Sequence, residues 1–365
     1  MRRIHAGAVF AFLSATVSLG AQQAPEPFKV GTLSQNGRPF VGVVVRDTLV
    51  IDLNAANTAV RAPASTIGSV DGMKDLIARY DGGVKARIVE LVRAANLGGG
   101  QRPAWVHNLR SLKVLPPIMY PTTMLNVAVN YAEHDIEMAR GRIGTANPPT
   151  AGRALPNTSS STGIWERAAD DWRWNPYMFM KAPGVIVADG EDVRIPVGRT
   201  QIEWECELGV VIGKTTNRPG IAGAMDQVFG YTLENDMSDR GGRGDTRSGS
   251  DWVISKNHDT FAPMGPFITP KEFAPDVKRL KMTFILNDQV LQEGTTAQMI
   301  HDVAEIVAYA GNIMTLRPGD VLATGTPPGV GSARNPPVLL KAGDRMSCTY
   351  EGIGTLRNPI VSAPR

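Results

Sequence analysis

Residues 201–213 read QIEWECELGVVIG, a stretch that alternates acidic and apolar side chains before it becomes continuously apolar. Successive side chains of a β-strand point to opposite faces. One face of the predicted strand is therefore acidic and carries Glu203, Glu205 and Glu207. The opposite face is apolar and carries Trp204, Cys206 and Leu208. Three like charges beside a buried strand are costly without solvent or a counter-charge, so the pattern indicates either a solvated face or a cation site.

The cation site is favoured by a further acidic position downstream. Residues 230–240 read GYTLENDMSDR, which is an apolar strand that ends in polar residues, and Asp236 lies where an additional ligand would be presented. Carboxylate oxygens without histidine or cysteine suit hard divalent ions such as Mg²⁺, Mn²⁺ and Ca²⁺. The acidic face and Asp236 together predict a divalent-metal site.

A second candidate constellation lies in residues 130–137, which read NYAEHDIE. His134 and Glu137 are three positions apart, so they face the same side of a helix and can form a hydrogen bond. A carboxylate that orients an imidazole produces a general base for water. Taken alone, the same pair also fits the polar surface of an ordinary helix.

The composition excludes several classes of protein. The chain has 365 residues, of which 42% are hydrophobic, and a formal net charge of 38 − 35 = +3. It is long enough for a substantial core in two domains or in one large domain with an appendage. Two cysteines exclude a disulfide scaffold, and Cys206 and Cys348 could pair in an oxidising compartment without the pattern deciding it. Mixed charges without a basic stripe give no support for nucleic-acid binding.

The first 21 residues have the layout of a secretory signal peptide. Arg2 and Arg3 precede residues 6–21, which carry no charge and end in small residues. A membrane anchor needs about 20 apolar residues, which makes an uncleaved anchor the weaker alternative. No other stretch is long and apolar enough to span a bilayer. We therefore expect export to the periplasm or the medium, with no stable membrane insertion after cleavage.

The remaining chain divides into two regions with different patterns. Residues 22–117 predict a small α+β domain: a meander with a hairpin turn at Asn36-Gly37, and then a helical run broken at Gly82-Gly83. Residues 118–365 alternate short β-branched runs with turns around a predicted amphipathic helix near Met299–Asn312. An insertion at about residues 140–176 is rich in Gly, Pro, Ser and Thr and contains Trp165, Trp172 and Trp174. The predicted fold class is α+β, dominated by sheet.

Eight blocks in one order resemble the fumarylacetoacetate hydrolase family between about Met124 and Val361. They are NYAEH (130–134), FMK (179–181), ECELGVVIGK (205–214), NDMSDR (235–240), SK (255–256), MGP (264–266), TGTPPGVG (324–331) and GIGTLRNP (352–359). The resemblance implies a mixed β-sandwich or roll of the family's C-terminal type, preceded by the small N-terminal domain. It also implies a homodimer.

The resemblance assigns roles to individual residues. The implied metal ligands are Glu205, Glu207 and Asp236, which would hold Mg²⁺ or alternatively Mn²⁺ or Ca²⁺. The implied catalytic residues are His134 and Glu137, on a mobile lid helix, together with Lys256. The implied substrate-binding residues are Lys181, Arg240 and Thr326. Glu203 is expected to support the ligands rather than bind the ion. Residues 241–243 read GGR where many members carry Asp and then Gln, and Arg243 would favour a more anionic substrate.

The implied activity is metal-dependent hydrolytic cleavage of a C–C bond in a 2-oxo or 2,4-dioxo carboxylic acid, such as an acylpyruvate. Water activated by the His134–Glu137 pair and a stabilised enolate would carry that reaction. Decarboxylation or isomerisation of an oxo-dicarboxylic acid in the same site is an alternative outcome. A different alternative is a non-catalytic binding protein of the cell envelope that retains the fold.

Overall fold

The computed structural model describes residues 24–61, 66–98, 100–141, 161–166, 168, 170–171, 173–241 and 251–364. The predicted signal peptide, the greater part of the predicted insertion and Arg243 lie outside these ranges. Within them, no helix combines the length and the hydropathy that a membrane crossing requires.

The N-terminal region is a β-meander followed by helices, as its residue pattern predicts. The hairpin turn falls at Asn36-Gly37, where both residues have positive φ angles of 51° and 79°. The helical run breaks at Gly83, whose φ of 120° is incompatible with a continuous helix. The elements are β1 (Phe28–Gln35), β2 (Arg38–Val45), β3 (Leu49–Asp52), α1 (Leu53–Ala59), α2 (Met73–Arg79), α3 (Lys85–Ala94), β4 (Val106–Asn108) and β5 (Lys113–Val114).

The rest of the described chain contains fourteen strands and four α-helices, besides short 3₁₀ turns. The strands are β6 (Met124–Ala128), β7 (Tyr177–Met180), β8 (Ile186–Val187), β9 (Val193–Ile195), β10 (Ile202–Glu203), β11 (Cys206–Ile212), β12 (Val228–Asn235), β13 (Ser238–Asp239), β14 (Ala262–Pro270), β15 (Lys281–Leu286), β16 (Gln289–Thr295), β17 (Val321–Ala323), β18 (Arg345–Tyr350) and β19 (Gly354–Ser362). The helices are α4 (Ala132–Gly141), α5 (Gly220–Ala224), α6 (Trp252–Lys256) and α7 (Val303–Ile313).

These strands form two large mixed sheets. The larger sheet runs in the order β4-β3-β2-β1-β14-β12-β11-β17-β6-β7, with β5 beside β1 and β8 beside β14. The smaller sheet runs in the order β16-β15-β18-β19-β9, and β10 pairs separately with β13. Val30 of β1 pairs with Ile268 of β14, so the meander joins the same sheet as the later strands. The predicted sheet-dominated α+β class is confirmed.

The acidic segment lies where the larger sheet packs on the smaller one. Its apolar face enters the core between the two sheets, where Trp204 stacks on Phe284 of β15 with ring centroids 4.9 Å apart. Cys206 and Leu208 lie in the same core and are fully buried. The glutamates consequently point to the opposite side, as the alternation predicts.

A disulfide joins the two sheets through this core. Cys206 of β11 bonds to Cys348 of β18, 142 positions later in the chain, and both residues are buried. The sequence left this pairing open, and the packing of the sheets brings the two cysteines together. Removing a native disulfide typically costs about 2–5 kcal/mol, and long loops are at the upper end of the chain-entropy model. The bond is therefore a major tie between β11 and the second sheet.

Helix α7 begins four residues later than its apolar periodicity predicts. Asp302 caps the helix, because its carboxylate accepts the Glu305 amide while the Glu305 side chain accepts the Asp302 amide. The cap ends the preceding extended segment at Asp302, so Met299 and Ile300 stay outside the helix. Tyr131 pairs with Met299 in an isolated bridge, which places this extended segment beside the start of α4.

Candidate active site

Three buried carboxylates converge at the end of the β11–β12 pair. Cys206 and Asn235 are register partners, and the Asp236 amide donates to the Glu205 carbonyl at 2.8 Å, so the pairing continues past both strand ends. One oxygen each from Glu205, Glu207 and Asp236 lies within 4.8 Å of the others. Ligand oxygens on opposite sides of one Mg²⁺ or Ca²⁺ are about 4–5 Å apart, because each metal–oxygen distance is about 2.0–2.6 Å. This cluster could hold a divalent ion.

Basic side chains surround two of these carboxylates. Lys256, in the last turn of α6, lies 2.9 Å from Glu205 and 2.5 Å from Asp236 through its Nζ atom. Lys181 Nζ, just after β7, lies 2.6 Å from Asp236. Arg240 donates to Glu205 from the other side. Burial alone would raise the pKa of Glu205, but Lys256 and Arg240 outweigh it and lower that pKa.

Glu207 lacks such compensation. The Gly325 amide donates to Glu207 Oε2 at 2.7 Å, and no lysine or arginine of the described chain forms an ion pair with this residue. Burial, followed by repulsion from Asp236 and Glu234, raises the pKa of Glu207 well above its usual range. A divalent cation is the type of group that would stabilise this carboxylate in its charged form, so the donor set fits a metal on electrostatic as well as geometric grounds.

Glu203 supports the cluster without joining it. Its two oxygens accept hydrogen bonds from Arg240 and from the Ser332 amide. Arg240 is thereby held between Glu203 and Glu205, and its side chain is only 10% exposed. The expectation that Glu203 supports the ligands agrees with this arrangement.

The His134–Glu137 pair forms on helix α4 as its spacing predicts. His134 Nδ1 lies 2.8 Å from Glu137 Oε1, and His134 is 6% exposed. The Glu137 carboxylate also accepts the Gly329 amide, at 2.8 Å to Oε2 and 3.0 Å to Oε1. Helix α4 therefore packs against the loop that follows β17, and the Glu137 carboxylate orients the His134 imidazole through Nδ1.

Part of this group lines one cavity of about 150 Å³, whereas Glu207, Asp236 and Glu137 are not among its lining residues. Its polar wall contains His134, Glu205, Arg240 and Lys256. Its apolar wall contains Phe179 and Trp252, whose rings stack at 4.8 Å. A larger groove of about 500 Å³ lies between the N-terminal meander and the turn after β18, and none of the predicted site residues lines it. The smaller cavity is the candidate active site, because the titratable groups converge there.

Two predicted substrate-binding residues lie behind this cavity rather than on its wall. Lys181 is fully buried and donates to Asp236 and to the Met237 carbonyl. The Thr326 hydroxyl donates to the Cys206 carbonyl at 3.0 Å. Lys181 therefore contacts the carboxylate cluster, whereas Thr326 contacts the backbone between Glu205 and Glu207. Direct contact with substrate remains a prediction for both residues. Arg240 does line the cavity.

Sequence reasoning missed Glu234. This residue is the register partner of Glu207, is fully buried, and accepts the Asn126 side-chain amide at 3.1 Å through both oxygens. Burial raises its pKa to about 8. The signal was available, since positions 234 and 236 share one strand face. The backbone donors Gly325 and Gly329 carry no side-chain signal and could not be found in this way.

Comparison with known proteins agrees with the geometry. The family model described as fumarylacetoacetate (FAA) hydrolase C-terminal matches residues 123–361. The chain is 34% identical over 251 residues to the mitochondrial oxaloacetate tautomerase fahd2 of Xenopus laevis, which covers 69% of each chain. It is 39% identical over 186 residues to the human oxaloacetate tautomerase FAHD2A, covering 51% of this chain and 59% of that protein.

A solved structure extends the likeness to the whole described fold. Maleylpyruvate hydrolase from Sphingobium sp. SYK-6, in complex with manganese(II) ion and pyruvate, matches with a TM-score of 0.63 and 26% identity. The match covers 92% of this chain and 100% of that one. The sequence motifs, the two sheets and the carboxylate cluster all agree with the family match. This chain belongs to the fumarylacetoacetate hydrolase family.

Proposed function

We propose that the protein is a divalent-metal-dependent enzyme that enolises a small 2-oxo carboxylic acid, and that its reaction is keto–enol tautomerisation of an oxaloacetate-like dicarboxylate. One observation carries the proposal: Glu205 of the carboxylate cluster lines a single cavity together with Lys256 and His134. Its volume of about 150 Å³ is below the roughly 300–1,000 Å³ of pockets for drug-sized ligands, which favours a metabolite of few carbons. The relatives at 34–39% identity named oxaloacetate tautomerase support the same reaction.

The chain's own residues have defined tasks in this proposal. Glu205, Glu207 and Asp236 would hold Mg²⁺ or Mn²⁺, with Ca²⁺ as a further alternative, and the ion when bound supplies Lewis-acid polarisation of the keto oxygen. Arg240 attracts the substrate carboxylate. His134 removes a proton from the carbon beside the keto group, and the oxygen that gains charge takes a proton from Lys256 or solvent. One C–H bond breaks and one O–H bond forms.

Hydrolytic C–C cleavage of an acylpyruvate is the second candidate. The hydrogen bond between His134 and Glu137 favours it, since this pair could equally deprotonate a water. The hydroxide would add to the distal carbonyl, and the C–C bond would break to leave a pyruvate enolate, which then takes up a proton. The likeness to maleylpyruvate hydrolase supports this candidate.

A substrate panel on the purified mature protein separates these activities. With Mg²⁺ or Mn²⁺ added, we expect the ultraviolet absorbance of enol-oxaloacetate to decay faster than in the metal-free control. Pyruvate release from acylpyruvates and from oxaloacetate, measured in parallel, reports hydrolysis and decarboxylation. Cleavage of acylpyruvates by a protein inert toward enol-oxaloacetate would replace tautomerisation with hydrolysis. Inertness toward every oxo acid would favour the binding-protein alternative.

We also propose that the protein is exported, to the periplasm or the medium. Disulfides form and persist in oxidising compartments, so the Cys206–Cys348 bond supports the signal peptide predicted for residues 1–21. Intact mass spectrometry of protein from the envelope or medium is expected to give a chain that begins after Ala21, with no thiol labelled before reduction. A full-length chain with two reactive thiols in the cytosolic fraction would contradict export.

A homodimer completes the proposal. Among the described residues no strand pairs with the outer edge of β7, whose Tyr177 and Met180 are more than half exposed, as is Val253 on α6. Exposed apolar side chains along a free strand edge are typical of an interaction surface. The mass in solution by light scattering measures the oligomeric state.

A further inference from the structure

Residues 161–166, 168, 170–171 and 173–176, at the end of the insertion, are here called the docking segment. We propose that the docking segment is a positioning element of the active site. It holds His301, and through His301 it fixes Asn130, which lies two residues before the start of helix α4 and its catalytic pair. The inference rests on the proposed function and assigns His301 and Arg173 as positioning residues for that site.

The docking segment is anchored on the first turns of α7 and the residues before them. The Trp165 ring packs edge-on against His301 and Tyr309, with centroids 5.5 Å and 5.9 Å apart. Arg173 forms a two-pronged ion pair with Glu305, at 2.7 Å and 2.9 Å, and donates to the Ile300 carbonyl at 2.8 Å. Planar two-pronged pairing fixes direction as well as distance. The segment therefore holds the chain around His301 in one orientation.

His301 receives this constraint through its side chain. The residue is 3% exposed, and its Nε2 lies 2.7 Å from the Trp174 carbonyl oxygen. A carbonyl only accepts, so Nε2 carries the hydrogen and donates it. The backbone of His301 is bound to Asn130 in both directions: its amide donates to Asn130 Oδ1 at 2.8 Å, and its carbonyl accepts from Asn130 Nδ2 at 3.0 Å. Any shift of His301 is transmitted to Asn130.

Asn130 in turn connects to both halves of the site. It precedes Tyr131 and α4, so its orientation sets the start of the helix that carries His134. Its Nδ2 also donates to the Thr324 carbonyl at 2.8 Å, and the next residue, Gly325, donates its amide to Glu207. Gly325 has a φ of 86°, and a side chain there would meet the Asn130 Cβ at 2.8 Å. The close approach leaves little freedom between Asn130 and the loop that supports Glu207.

Two substitutions at His301 test this chain of contacts. His301→Leu removes the donor to Trp174, whereas His301→Gln keeps an N–H near the position of Nε2. We expect His301→Leu to lower kcat about 10–100-fold with little change in KM, because misplacement by about 1 Å can cost 10²-fold. His301→Gln is expected to restore kcat to within about threefold of wild type. The control Asn217→Ala breaks the exposed bond from Asn217 to the Thr315 hydroxyl after the end of α7, which involves no residue of the docking segment, and it should leave kcat unchanged.

A second variant and a second readout keep the test decisive. Arg173→Ala affects a side chain that is 39% exposed, so the protein should fold, and its kcat is expected to fall in the same direction. Hydrogen exchange of peptides covering residues 131–138 should accelerate in His301→Leu and Arg173→Ala but not in Asn217→Ala. Wild-type kcat and wild-type exchange in both variants would overturn the inference. Exchange does not depend on substrate, so it reports on the positioning role even if every oxo acid proves inert.

Discussion

Replacing Glu207 with glutamine is expected to lower kcat about 10³-fold or more and to weaken Mn²⁺ binding by orders of magnitude. The substitution keeps the side-chain volume and the bond from the Gly325 amide but removes one of three converging charges. A bound ion supplies several kcal/mol of transition-state stabilisation, which corresponds to roughly 10³-fold in rate. The metal-free Glu207→Gln protein should nevertheless be more stable than the metal-free wild type. Burial and neighbouring carboxylates raise the pKa of Glu207 and penalise its charged form, and glutamine carries no charge.

The control for Glu207→Gln is Asp344→Asn. Asp344 is a buried carboxylate in the turn before β18, where it accepts hydrogen bonds from Asn287 and the Lys341 amide and from no residue of the candidate site. We expect this variant to lose some stability and to bind Mn²⁺ like wild type, as measured by titration calorimetry. Glu207→Gln protein that binds Mn²⁺ and turns over substrate normally would show that the cluster is not the metal site.

Replacing Glu137 with glutamine is expected to lower kcat about 10²–10⁴-fold while Mn²⁺ affinity stays unchanged. A carboxylate only accepts, so His134 Nδ1 carries the hydrogen and Nε2 is left as the base toward the cavity. A glutamine can keep the Gly329 amide on its oxygen and donate its own N–H to Nδ1. The imidazole would then hold its hydrogen on Nε2, which is the wrong tautomer for a base.

Glu133→Gln is the matched control for this prediction. Glu133 is exposed on the same helix, one position before His134, so the change removes an equal charge without touching the pair. Steady-state kinetics should give wild-type kcat for Glu133→Gln and a large loss for both Glu137→Gln and His134→Ala. Equal activity in all three variants would show that the His134 imidazole takes no part in the reaction. Lys256 would then be the proton-transfer group.

Most elements of the fold were predictable because each rests on local rules. Alternation assigned the glutamates of residues 201–213 to one face, since side-chain direction in a strand depends only on parity. The single strand predicted there is two strands, β10 and β11, which Trp204 and Glu205 separate. The turn at Asn36-Gly37 and the break at Gly83 followed from the backbone freedom of these residues. The start of α7 was predicted too early, because apolar periodicity continues past the point where the Asp302 cap sets the boundary.

The sequence predicted most of the charged residues of the candidate site but not the backbone amides and ion pairs that hold them in place. His134 and Glu137 are local helix neighbours, and the acidic ligands stand out from an apolar strand. Glu234 was missed, although parity places it beside Asp236. The amides of Gly325 and Gly329 have no side chain to mark them, and the braces from Ser332 to Glu203 and from Arg240 to Glu205 join residues that no spacing rule connects.

Strand faces, helix spacing and the family motifs each depend on a short stretch of residues. The sequence alone was therefore enough to predict the acidic face and the imidazole pair. Three further features could be identified only from the tertiary structure. They are the Cys206–Cys348 bond, the buried contact of Lys181 with Asp236, and the hydrogen bonds that connect Trp174 through His301 to Asn130. Each joins positions 55 to 171 residues apart. Such contacts depend on how two sheets and a returning segment pack, and packing is a property of the whole chain rather than of any window within it.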